Sequence, residues 1–337
     1  MKKNQKGFTH IFLLTILISI FGITSNTFAK VFKKDPGPYD VESAMYEWLD
    51  QKRNREVPVK VYFPKNAEGP FPLIIFSHGL GGSRDGYEFL GRHWASHGYV
   101  SVHVQHIGSD TAIWQGKQNI MEAMRQAIRD PANSTNRPLD VSFALDQMER
   151  LNKEDSPFRG FLEMKKIGVA GHSYGAYTTL AVAGQVFISV QGSEVTFEDP
   201  RVKAAIAMSA SVGRARNYLE KAYSRIDTPC LHMAGTEDHS PIGTTTVEER
   251  RLPFDHIDGA DQYLIIFKDG DHMVFAGQRL WPGGGKKDPL FHDLIRMSST
   301  AFWDCYLNDN DEAKQWLADG GFESELGEDG TFEKKIK

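Results

Sequence analysis

Cysteine is nearly absent. Two occur in 337 residues, Cys230 in an apolar strand-like run and Cys305 in an expected helix. That excludes a disulfide framework and a thiolate zinc site. A single bridge between the two stays open, because sequence spacing does not show whether the side chains meet. A charge excess of one sign is missing too: 39 Lys and Arg stand against 44 Asp and Glu, a net −5. Such a balance offers nothing to a phosphate backbone, so nucleic acid is not an expected partner. No internal repeat or low-complexity linker divides the chain. The apolar run Ile11 to Ile23 covers 13 positions broken by Thr15 and Ser19, short of the roughly 17 to 25 residues a spanning helix needs.

What that run does fit is a secretory signal peptide, because Lys2, Lys3 and Lys6 precede it and Thr27-Phe28-Ala29 stand between it and Lys30. Residues 1–29 are expected to be removed. The mature chain then works outside the cytoplasm, periplasmic or secreted, without a stable membrane span. With 40% hydrophobic residues, 31 glycines and 25% charged residues, it has the composition of an ordinary globular protein. The expected layout is a catalytic domain over 30–307 and an acidic C-terminal segment, 308–337, of a short helix plus mobile tail. The oligomeric state stays open.

Val57, Val59, Val61 and Phe63 alternate with Pro58, Lys60 and Tyr62, the period of a strand with one buried face near a sheet edge. Leu73 to Phe76, Ile167 to Ala170, Ala204 to Met208 and Leu264 to Phe267 are continuous apolar runs, as in strands covered on both faces. Val100 to Val104 and Cys230 to Ala234 fit two more strands. Segments of helical spacing lie between, at Tyr87 to His97, Leu139 to Leu151, Ala176 to Ala183 and Leu290 to Tyr306. This alternation predicts an α/β fold with a mostly parallel sheet of about eight strands and helices on both faces. Ile107 to Arg137, Gln185 to Arg201 and Ser240 to Ala260 read as long insertions over the carboxyl edge, where ligands gather.

At that edge, Gly171-His172-Ser173-Tyr174-Gly175 comes after a strand and precedes a small-residue helix, the context of a G-x-S-x-G nucleophile elbow. A serine hydroxyl needs a histidine base, and the base a carboxylate that fixes its tautomer. In the order Ser, acid, His, these are Asp238, after the strand Cys230 to Ala234, and His272, after Leu264 to Phe267. Glu237 is a neighbouring alternative for the acid. An oxyanion hole needs two backbone N–H groups. Tyr174, after the nucleophile, is one candidate; Leu80, in the glycine-rich loop after Leu73 to Phe76, is the other.

At these residues the chain resembles the alpha/beta hydrolase superfamily and, within it, the secreted dienelactone hydrolase-like group, whose relatives include plasma platelet-activating factor acetylhydrolase and bacterial polyester hydrolases. The similarity runs from Arg53–Val59 through FSHGLGGS at 76–83, HVQHIGSD at 103–110, RPLDVSFALD at 137–146, GHSYG, GTED and GDH. It implies an alpha/beta hydrolase fold and carboxylic ester hydrolysis with neither metal nor other cofactor, on a small-molecule, lipid or polymer ester. In the acetylhydrolase the acid stands after the strand that succeeds the nucleophile helix. Here Ala204 to Ala210 offers no carboxylate, which leaves Asp238. The same residues would serve an acyltransferase or a peptidase, and a silent lipid- or protein-binding scaffold is the non-enzymatic alternative.

Trp114, Ile120, Met121 and Met124 either line an acyl pocket or form the buried face of an insertion helix, and Trp281 flanks the site or does not. His103 and His106 stand three apart in a strand-to-loop segment, which does not put two imidazoles on one helical face, so no metal site is expected.

Overall fold

The computed structural model describes residues 1, 32, 34–279 and 285–337. The expected leader over 1–29, apart from Met1, and Trp281 lie outside the described residues. In chain order the elements are β1 (Val41–Asp50), β2 (Arg55–Pro64), β3 (Phe71–Ser77), α1 (Glu88–Ser96), β4 (Val100–Val104), α2 (Ile120–Arg129), α3 (Pro131–Lys153), β5 (Leu162–His172) and α4 (Tyr174–Val182). They continue with β6 (Val186–Ile188), β7 (Glu194–Thr196), β8 (Val202–Met208), α5 (Leu219–Tyr223), β9 (Cys230–Glu237), α6 (Leu252–His256), β10 (Gln262–Asp271), α7 (Asp288–Leu307), α8 (Asp311–Ala318), α9 (Gly321–Leu326) and β11 (Gly330–Lys335).

Among the described residues, nine strands form one sheet in the order β1-β2-β4-β3-β5-β8-β9-β10-β11. From β4 to β10 the neighbours are parallel, and antiparallel strands close both edges. Successive residues of a strand point to opposite faces. In β3, Ile74 and Phe76 join a layer with Trp94 and Trp303, while Leu73 and Ile75 join one with Leu145 and Met148. Both faces are therefore covered, which is why the central strands read as unbroken apolar runs.

β1 escapes the sequence pattern because, as an edge strand, it buries little: Met45 and Leu49 are exposed. β6 and β7 form a small separate hairpin inside the Gln185 to Arg201 insertion. The insertion at Ile107 to Arg137 holds α2 and the start of α3, and that at Ser240 to Ala260 holds α6. α3 begins eight residues before the expected Leu139, with Asp130 capping the Ala132 N–H and Pro131 in the first turn. Pro138 then sits inside the helix. It cannot bond the Ser134 carbonyl, and the Tyr177 hydroxyl donates to that carbonyl instead, at 3.4 Å.

The C-terminal segment departs from expectation. Instead of a mobile tail, α8 and α9 bury Trp316, Leu317, Phe322 and Leu326, and β11 pairs with β10. Phe332 stacks on Tyr263 with ring centroids 5.8 Å apart. Lys335 holds Asp258 at 2.7 Å, and Lys334 holds Glu323 at 2.6 Å. A polar strand such as GTFEKK suits a sheet edge, where lysines discourage further pairing. Cys230 and Cys305 are both buried free thiols, which closes the question of a bridge. No helix among the described residues is long and apolar enough to cross a membrane.

Buried histidine makes the fold acid-sensitive. Burial holds His93, His103 and His106 down at about 3 and His232 at about 4, and pushes His78 and His172 well below the ordinary 6.5. Below that ordinary value an unfolded chain binds protons that the folded one refuses. The stability these groups contribute is complete above about 6.5 and drains away as the pH falls toward their folded values, each adding up to about 1.4 kcal/mol per pH unit. Melting curves at neutral pH, pH 5.5 and pH 4.5 are expected to show a steep fall in Tm; a constant Tm over that range would contradict the burial of these rings.

Candidate active site

Ser173 occupies the turn between β5 and α4 with φ 57° and ψ −113°. A non-glycine side chain accepts such backbone only where its surroundings over-determine it. Here the turn is compressed. A Cβ at Gly171 would collide with the Gly175 carbonyl, and one at Gly175 with the Ser77 carbonyl. Glycine on both sides of Ser173 thus lets strand, turn and helix meet the neighbouring β3, and the serine is lifted above the carboxyl edge.

His272 comes directly after β10, and Asp238 directly after β9. Ser173 Oγ lies 2.9 Å from His272 Nε2, and His272 Nδ1 lies 2.8 Å from Asp238 Oδ1. The three form one hydrogen-bonded chain. With Nδ1–H donating to the carboxylate, Nε2 is left to accept the serine proton. Asp238 is fully buried and His272 is 9% exposed, whereas Glu237 is exposed to solvent.

Three other histidines lie close to these motifs in sequence, and none joins that hydrogen-bonded chain. His172 Nδ1 meets the Tyr87 hydroxyl at 2.7 Å, and His232 Nε2 meets Gln262 at 2.9 Å. His239 is exposed. Asp269 pairs with Lys287, while Asp271 pairs with Arg279 and accepts the Met273 N–H, so both acids serve the loop around His272.

Two residues beside the acid were not anticipated. Ser209, at the end of β8, donates its hydroxyl to Asp238 Oδ1 at 2.9 Å, and its oxygen also lies 2.8 Å from His272 Nδ1. Its φ is 56°. The rule that locates Asp238 and His272, a polar residue at a strand's carboxyl end, also marks Ser209. Arg250 has no such signal. It reaches in from the 240–260 insertion, buried, with Nη2 3.2 Å from Asp238 Oδ1, and donates to the carbonyls of Asp238, Ser209 and Ala210. Burial draws its pKa down, against the pull of Asp238.

The glycine-rich loop stands opposite. Gly79, Gly81 and Gly82 all spend their N–H groups within the fold, on the Tyr87 hydroxyl, the Ser109 carbonyl and the Gly79 carbonyl. The Leu80 N–H has no acceptor among the described residues, and the Tyr174 N–H is the first of α4, where no helical acceptor exists. Both residues border the cavity in front of Ser173. Beneath the loop, Arg137 donates to the His78 carbonyl, to Ser109 and to Thr178, and lies 4.6 Å from the Tyr174 ring. His106 bridges Asp140 and Ser77, each at 3.1 Å, and Asp140 takes Arg53 and Arg55. These groups fix the loop from below. No metal-holding cluster exists among the described residues, His103 and His106 included.

Two cavities open beside Ser173, of about 590 and 270 Å³. Trp114 lines the smaller, with its Nε1 donating to the Gly81 carbonyl at 2.8 Å. Met121 lines neither. Met124, three residues further along α2 and buried, lines the smaller cavity instead.

The chain is also similar in sequence to known proteins. Residues 41–136 match the family described as platelet-activating factor acetylhydrolase, isoform II, and residues 112–274 match serine hydrolase (FSH1). The platelet-activating factor acetylhydrolase of Cavia porcellus is 25% identical over 299 residues, covering 77% of this chain and 63% of the relative. Those of Bos taurus and Canis lupus familiaris are 24% and 22% identical, covering 61% and 73% of this chain and 48% and 59% of their own. The chain thus spans between about half and just under two-thirds of the relatives it matches. Strand order and elbow are those of the alpha/beta hydrolase fold, and over these segments the chain is similar to the platelet-activating factor acetylhydrolases and to the FSH1 serine hydrolases.

Proposed function

We propose that this protein is an exported serine hydrolase that cleaves carboxylic esters through an acyl-enzyme on Ser173. One observation carries the reading: the serine, imidazole and buried carboxylate join end to end at 2.9 and 2.8 Å, in front of two unspent backbone N–H groups. The relatives bear the name of an acetylhydrolase, and ester cleavage is among the reactions such an arrangement supports. Export rests on the basic and apolar leader in the sequence.

Each residue then has one task. His272 Nε2 takes the Ser173 proton as Oγ attacks the ester carbonyl, and Asp238 stabilises the imidazolium. The Leu80 and Tyr174 amides hold the developing oxyanion, where a single donor is worth about 3 to 4 kcal/mol in the transition state. As the tetrahedral intermediate collapses, the proton passes from Nε2 to the departing alkoxide. Water repeats the attack with His272 again as base, releasing the acid and restoring the Ser173 hydroxyl.

A fluorophosphonate mimics the attacked ester and is trapped by an activated serine. Intact-mass and peptide analysis are expected to find one adduct, on the peptide containing Ser173, with loss of nitrophenyl acetate hydrolysis in proportion. Labelling elsewhere, or inactivation without a Ser173 adduct, overturns the assignment.

A further inference from the structure

The two cavities meet along Leu80, Ser173, Pro241 and Ile242, so an ester lying over Ser173 has one half in each. Their other walls differ. His272 borders only the smaller cavity, and Tyr174 only the larger. This difference fixes the direction of the substrate, on the reading that Ser173 is acylated. The leaving oxygen must take its proton from His272 Nε2, so the alcohol half extends into the cavity that His272 borders. The acyl carbon, with its oxygen turned to the Leu80 and Tyr174 amides, carries its chain the other way.

We propose that the acid half of the ester occupies the larger cavity and the alcohol half the smaller, and that the preferred substrates are esters of a long or ring-bearing apolar acid with a small uncharged alcohol. The larger cavity has more than twice the volume, about 590 against 270 Å³. A continuous row of rings runs along it from the oxyanion residue to the β6–β7 hairpin: Tyr174, Tyr177, Phe187 and Phe197, with successive centroids 5.5, 5.3 and 5.9 Å apart. Such a track suits apolar chains and flat rings, with Arg129, Arg214 and Arg250 also on the cavity wall. The smaller cavity is walled by Trp114, Met124 and Met273, with Trp114 tied to the Gly81 carbonyl. No Asp or Glu lines either cavity among the described residues, so a cationic alcohol finds no counter-charge. Trp114 and Met124, acyl-pocket candidates by sequence, thereby belong to the alcohol side.

Two ester series on the full-length protein test the assignment. One holds ethanol constant while the acid grows from acetate to decanoate and 2-naphthoate. The other holds acetate constant while the alcohol grows equally. Values of kcat/KM are expected to rise at least about tenfold along the acid series and to stay flat or fall along the alcohol series. Phe187→Ala is expected to cut the decanoate-to-acetate ratio by about tenfold, and Met273→Ala to raise the ratio of large to small alcohols by about fivefold. Ratios taken within one sample do not depend on the fraction folded. A preference for large alcohols on acetate, or exchanged responses of the two variants, overturns the assignment. A trapped acyl adduct separates the failures. Its presence on Ser173 with reversed selectivity rejects only the direction, whereas its absence rejects the acyl-enzyme and the direction with it.

Discussion

Replacement of Ser173 by alanine is expected to lower kcat for nitrophenyl acetate by about 10⁴- to 10⁶-fold, with KM changed little. The hydroxyl is the atom that forms the covalent bond, and water cannot occupy its place at 2.9 Å from His272 Nε2 with the same alignment. Activity does not vanish altogether, because the Leu80 and Tyr174 amides survive and still stabilise a tetrahedral oxyanion formed by water. The substitution removes only the hydroxyl, keeps the Cβ on the backbone at φ 57° and adds no bulk, so the fold is expected to melt within a few degrees of the parent. Steady-state kinetics beside a thermal melt check both. A loss of less than about tenfold in kcat would mean that another group attacks the ester.

The second large effect belongs to the acid. Asp238→Asn is expected to reduce kcat by about 10⁴-fold, while Glu237→Gln leaves it within about twofold. An amide at 238 keeps the shape but loses the charge that steadies the imidazolium, and can present its NH₂ to Nδ1 and so select the wrong tautomer. The neighbouring Glu237 is exposed, and it is Asp238 that bonds His272 Nδ1. The two substitutions differ in stability as well. Arg250 remains buried 3.2 Å from the neutralised side chain, and a buried charge left without its partner costs about 3 to 5 kcal/mol. Asp238→Asn should therefore melt earlier, and its kcat must be taken per folded molecule. Equal losses from the two substitutions would contradict the assignment of Asp238.

Much of this arrangement is legible in the sequence because parallel strands buried on both faces leave an apolar signature, and because chain order assigns a role to the polar residue at each strand's carboxyl end. β3, β5, β8, β9 and β10 are readable for that reason, and Ser173, Asp238 and His272 with them. The unread parts share one physical property: their stabilising contacts are distant in sequence or polar. β1 and β11 sit at sheet edges, where no apolar run is needed. Lys334 and Lys335 look like tail residues until their ammonium groups are seen on Glu323 and Asp258. Arg250 finds the carbonyls it serves in loops 12 to 41 residues away. Met121 and Met124 share a helix, and only the position of that helix relative to Ser173 separates them.

The hydroxyl of Ser209 and the carboxylate of Asp238 arrive from adjacent strands, β8 and β9, at the same nitrogen of His272, each at 2.8 Å. The imidazole is therefore moored from two strands at once, and its tilt depends on the spacing of β8 and β9 as much as on the carboxylate itself.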